Sequence, residues 1–162
     1  MTSNELLAAG YRMGLQMLRG MCDDLTDAEF HHQPVPGANS AAWIVGHLAV
    51  VARRTADRLG ATDLPVLTEE YVAQFSQTKK PAEDQRALPG KDELLALLDV
   101  CGTKAMDAMT TLPPDSLTKP SPAPGRFATN YGEAILFGSL HITMHCGQLS
   151  TIRRSLGKPP AV

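Results

Sequence analysis

The stretch from Asn130 to Leu156, NYGEAILFGSLHITMHCGQLSTIRRSL, decides the fold. It holds no proline, and its apolar residues recur at steps of three and four, the period of an α-helix packed on one side. Asn130 followed by Glu133 reads as an N-terminal cap, and Gly157 with Pro159 and Pro160 closes the other end. It also carries two histidines at helical spacing. His141 and His145 lie four residues apart, so on a helix they project about 40° apart, one turn separated.

Three more segments share the helical period, and none reads as a strand. One runs from about Ser3 to Asp23, with Thr2 and Glu5 as a capping box. Leu6, Gly10, Met13, Met17 and Gly20 form one stripe on it, with Leu7, Gly14, Leu18 and Met21 beside them. Another runs from about Ser40 to Leu59, capped by Asn39 or Ser40 and ended by Gly60. The next, Lys91 to Leu112, puts Leu94, Leu98, Cys101, Ala105, Ala108 and Leu112 on one seam before Pro113 and Pro114 stop it. The expectation is an all-α four-helix bundle in a single domain, residues 1–162.

The connection from Gly60 to Gly90 is about thirty residues, against about 2–8 between neighbouring bundle helices. A linker this long can return along the bundle, allowing the second and third helices to run parallel. It contains one short helical candidate, Thr68 to Phe75. Asp24–Asn39 and Pro113–Thr129 read as ordered loops, and no internal repeat is present.

Composition narrows the function. Hydrophobic residues make up 43% and charged residues 20%, and the net charge is −2. No basic surface for nucleic acid is expected. No apolar run approaches the ~20 residues of a membrane span, and Met1-Thr2-Ser3-Asn4-Glu5 does not resemble a secretory leader. Cys22, Cys101 and Cys146 are too few and scattered for a disulfide framework, which points to a cytoplasmic protein.

The chemistry rests on the histidines. With His141 as zero, Ala134, Phe137, Met144, His145, Gln148, Leu149 and Ile152 fall within about 80°. Cys146, Ser150, Arg153 and Arg154 point away, and Cys146 lies about 140° from His141, the wrong direction for a shared ion. On the second helix Trp43, Ile44 and Val51 share the face of His47, while Val45, Ala49, Ala52 and Arg53 point elsewhere. Both histidine faces look inward. Buried imidazoles are costly unless partnered, and a divalent cation relieves that cost. Three protein ligands with an open fourth position is the pattern of a reactive site, and zinc or nickel suits it best, iron or manganese also being compatible. A core histidine bonded to a carbonyl is the competing reading.

Around the triad, Gln148 can orient a ligand histidine, Arg54 can meet an anionic substrate group, and Trp43 with Phe137 can wall a pocket. Each has an ordinary core or surface alternative. Glu133 is explained by capping, Cys101 by the core, and His31 and His32 by an exposed loop. Ile135 and Leu136 face away from the histidines and suggest a dimer contact.

Three stretches then resemble the DinB-like superfamily, metal-dependent bundle proteins related to bacillithiol S-transferases. Leu25-Thr26-Asp27-Ala28-Glu29-Phe30, continuing through Pro34 to Asn39-Ser40, is similar to that family's linker into its second helix. Trp43-Ile44-Val45-Gly46-His47-Leu48 resembles its W-x-x-x-H-L segment, and His141 through Leu149 its H-x-x-x-H-x-G-Q motif. The likeness spans the chain. It implies an up-down-down-up bundle, often a homodimer, with a metal on the positions of His47, His141 and His145. It also implies a small-molecule substrate and, on the best-understood branch, a low-molecular-weight thiol as second cofactor. A metal-dependent hydrolase is the runner-up, and a non-catalytic dimeric metal- or ligand-binding stress-associated protein the reading from another class.

Overall fold

The computed structural model describes residues 1–76, 85–125 and 127–161. Residues 77–84 of the expected long crossover lie outside the described residues. Six α-helices account for most of the rest: α1 (Ser3–Cys22), α2 (Asp27–Phe30), α3 (Ala41–Arg58), α4 (Glu69–Gln74), α5 (Lys91–Thr111) and α6 (Tyr131–Ser155). The expected caps form. Thr2 and Glu5 make a reciprocal box on α1, Ser40 accepts from Trp43 N on α3, and Asn130 accepts from Glu133 N on α6. Glu133 itself reaches back to Thr129 rather than Asn130. Gly60 and Gly157 take the left-handed conformation past their helices, at φ 85° and 72°.

Two segments expected to be loops contain structure. Thr26-x-x-Glu29 is a second reciprocal capping box, and it starts α2. Between Pro113 and Asn130 lie a 3₁₀ turn, Pro114–Thr118, and an antiparallel pair of strands, β1 (Pro120–Gly125) and β2 (Ala128–Asn130), with an irregular register between Pro120↔Asn130 and Gly125↔Ala128. Prolines at 120, 122 and 124 hid the first strand from a propensity reading, since proline is tolerated only at edges and irregular positions.

The four long helices pack as α1 on α5 and α6, and α3 on α5 and α6. The α5 seam from Leu94 to Ala108 is buried as expected. On α1 the buried residues are Asn4, Ala8, Tyr11, Gly14, Leu18, Met21 and Cys22, whereas Leu6 and Met13 of the first expected stripe are exposed. From Ala41 to Val50 α3 is buried all round, Val45 and Ala49 included, as is Ala52; α5 and α6 cover part of its surface, and the Phe75 ring lies against Gly46. Gln85 Oε1 accepts from Ser40 N at 2.8 Å and from its hydroxyl at 2.6 Å, pinning Gln85 to the helix start.

The buried stripe of α6 is rotated from the expected one. Ile135, Ile142, His145, Cys146, Leu149, Ile152 and Arg153 are buried, while Met144 and Gln148 are exposed and His141 sits half-buried at the edge. The cause is close packing on α1, where a Cβ on Gly14 would lie 3.2 Å from Ile142 and one on Gly138 3.2 Å from Tyr11. Ile135 is therefore core, and only Leu136 of that pair faces outward. Arg153 is buried because Asp24 meets its guanidinium, with Met21 O accepting at 2.9 Å. Among the described residues, no helix is long and apolar enough to cross a membrane.

Candidate metal centre

Placing His47 at the middle of α3 and His141 and His145 on facing turns of α6 brings three imidazoles together. One nitrogen of each lies within 4.8 Å of the others. His47 and His145 are 7% and 3% exposed, so the site opens along the His141 edge.

The ring nitrogens are divided by their partners. His47 Nδ1–H donates to Phe75 O at 2.9 Å, and His145 Nδ1–H to Gln148 Oε1 at 2.9 Å. Each bond leaves the Nε2 lone pair of that ring directed at the centre. Nε2 of His145 is 3.1 Å from Nε2 of His141. Trp43 stacks on His47, centroids 4.9 Å apart and planes within 5°, fixing the ring's tilt.

Electrostatics act in the same direction. Burial lowers the pKa of all three histidines. His141 is pushed down to about 4, by burial first and then by His145 and His47. For His47 burial outweighs the opposing bond to Phe75, and Arg54 lowers it further. The three are neutral near pH 7, the form that donates a lone pair. Nitrogen donors without protons, converging and oriented from behind, fit a divalent cation.

The other candidates divide. Gln148 touches His145 and Trp43 touches His47. Arg54 is exposed, and its charge acts on His47. Cys146 is buried away from the centre. The three cysteines are free, and burial raises Cys22 to about 12 and Cys101 and Cys146 to about 11. His31 corrects the exposed-loop reading: it is 9% exposed, its Nδ1 2.8 Å from Asp27 O and its Nε2 3.1 Å from both Leu88 O and Pro89 O. It ties α2 to the approach of α5. His32 meets Ser155 Oγ at 3.0 Å.

Two residues of the site went unread in the sequence, Phe75 and Gly46. A Cβ on Gly46 would lie 2.2 Å from the Phe75 ring, so the glycine makes room for the residue whose carbonyl orients His47. A lone glycine inside a helical pattern was the available signal.

A sequence model described as the DinB superfamily matches residues 11–149. The chain belongs to that superfamily. A solved structure described as a conserved protein of locus from Enterococcus faecalis shares the fold, with a TM-score of 0.74 and 17% identity, covering 98% of this chain and 99% of that one. No functionally curated protein matches the sequence.

Gln148→Leu should weaken zinc binding about 10–100-fold, the usual effect of removing the group behind a ligand histidine, with little change in fold because Gln148 is exposed. Competition against a chromogenic chelator measures it.

Proposed function

We propose that this chain is a metal-dependent enzyme that holds one divalent ion, zinc or nickel, on His47, His141 and His145 and transfers a low-molecular-weight thiol to an electrophilic small molecule. The observation that carries this reading is the convergence of three neutral ring nitrogens within 4.8 Å. A bound divalent ion supplies Lewis acidity that lowers the pKa of a coordinated thiol or water. Phe75 O and Gln148 Oε1 hold two of the rings in the donating tautomer. Trp43 fixes His47, and the His141 edge gives substrates their entry.

Hydrolysis is the second reading. Among the described residues no carboxylate joins the histidine group, so a base to assist water is lacking there, which favours the thiol.

The remaining parts of the proposal are a single 162-residue domain, a cytoplasmic homodimer and an up-down-down-up helix order. Contacts support the last. Asn4 bonds Leu112 O and Arg19 pairs with Asp99, an antiparallel register of α1 and α5, while Gly14 meets Ile142 and Met21 O meets Arg153, a parallel one of α1 and α6.

The test is elemental analysis of untagged protein before and after zinc or nickel incubation. One ion per chain is expected, with His141→Ala falling well below it. A value near zero after incubation overturns the reading. Thiol conjugation of iodoacetamide should then run faster with the wild type than with His141→Ala, and equal rates remove the triad from the mechanism.

A further inference from the structure

The open edge of the triad continues into an aromatic surface. Phe137, one turn before His141 on α6, lies with its ring within 7° of the His141 plane, centroids 6.0 Å apart. Phe127, at the turn between β1 and β2, stacks on Phe137 in turn, at 5.2 Å and 18°. The three rings therefore stand in one series that runs outward from the centre. Phe127 is 65% exposed, and on α6, the helix of Phe137, Leu140 and Met144 are 54% and 61% exposed.

On a helix, Phe137, Met144 and Leu140 fall on the same side of His141, about 40°, 60° and 100° from it. His145 lies on the other side, toward the core. The apolar strip and the open edge of the triad are thus the same edge. Isolated exposed apolar residues need no explanation, but a contiguous strip ending at a reactive centre does.

The geometry points to this strip as the seat of a planar aromatic group on the electrophilic substrate, with Phe127 and Phe137 as its specificity-determining residues. This rests on the thiol-transfer reading above and names the substrate class for that site. A flat ring laid against the exposed surface of Phe127 and beside Phe137 can meet them in the offset or edge-on geometries that aromatic pairs prefer. Its substituent then lies toward His141, where the thiol would be held. Half-exposed, Leu136, Leu140, Met144 and Phe127 present several hundred Å², short of the roughly 800 Å² each partner gives a standard protein interface. The strip fits a small aromatic group better than a second copy of the chain.

With an aryl halide the step balances simply. The thiolate sulfur forms a bond to the ring carbon carrying chlorine, the carbon–chlorine bond breaks, chloride leaves with the electron pair, and the thiol's proton passes to solvent.

Two measurements on the full zinc-loaded chain test this. Dinitrophenol, which accepts energy from indole emission, should quench Trp43, the only tryptophan. Phe127→Ala and Phe137→Ala should each weaken its binding about fivefold to tenfold, the scale of one aromatic contact. Phe127 is exposed enough that its replacement leaves the fold intact, so the result stands even where Phe137→Ala is unstable. With mercaptoethanol as thiol, both variants should lose kcat/KM for chlorodinitrobenzene several-fold more than for compact iodoacetamide. Unchanged dinitrophenol binding in Phe127→Ala overturns the inference. So does a shift to smaller assemblies with binding unaffected, which would make the strip a contact between copies. If dinitrophenol binds as expected but neither electrophile is conjugated, thiol transfer fails and the aromatic seat stands.

Discussion

Gly46→Ala should lose about 1–3 kcal/mol of stability and most of the zinc affinity together, though it adds a single methyl and removes no ligand. The added Cβ would lie 2.2–2.5 Å from three atoms of the Phe75 ring. That ring is fully buried against Tyr71, so it has no free direction of retreat. Alanine's helix preference returns about 1 kcal/mol, which keeps the net loss moderate. The effect on the metal is larger because the displaced residue supplies the carbonyl that fixes the His47 tautomer. Urea unfolding and zinc titration on the same preparations check both halves. A variant that is less stable but binds zinc as tightly as the parent would separate Phe75 from the site.

Asp24→Asn should cost about 2 kcal/mol, the second large effect. Arg153 is 3% exposed, and its guanidinium meets both oxygens of Asp24, donates at 2.9 Å to Met21 O, and reaches Pro159 O. Removing the partner of a buried charge typically costs ~3–5 kcal/mol; half-exposure of Asp24 lets water compensate in part, hence the smaller figure. Arg153→Met removes the charge with its need for a partner, so the double variant should lose less than the sum of the two singles. The Arg153 hydrogen bond also holds the Asp24 carboxyl below its ordinary pKa. A depressed carboxyl contributes stability in full above its unfolded pKa of about 3.9, and that contribution fades as pH falls through the lower folded value. Urea midpoints at neutral pH and near pH 3 should show the Asp24→Asn difference shrinking in acid.

Much of the all-α fold was readable because local signals and burial agree in it. The α5 seam is buried on one side only, so its alternating steps of four and three were a faithful guide. α3 and α6 obeyed a different rule. Each is covered on more than one face, and a single-stripe reading of α6 therefore sent Arg153 and Cys146 to the surface when both are interior. Such a reading cannot see Asp24, 129 residues away in sequence, arriving to neutralise the guanidinium. The histidine triad was legible for a simpler reason: spacing of four and inward direction are helix properties. What oriented the rings was not, since Phe75 lies 28 residues from His47 and acts through its backbone carbonyl, an atom every residue carries.

The three interior thiols give the chain a particular temperament. With Cys22, Cys101 and Cys146 walled in and their pKa values at about 11 to 12, almost none is ionised at neutral pH. Oxidants and alkylating agents attack the ionised form, so the folded molecule is a poor target for the electrophiles it is proposed to dispose of. A detoxifying catalyst that spared itself in this way would survive many turnovers among reagents that scar proteins with accessible sulfur.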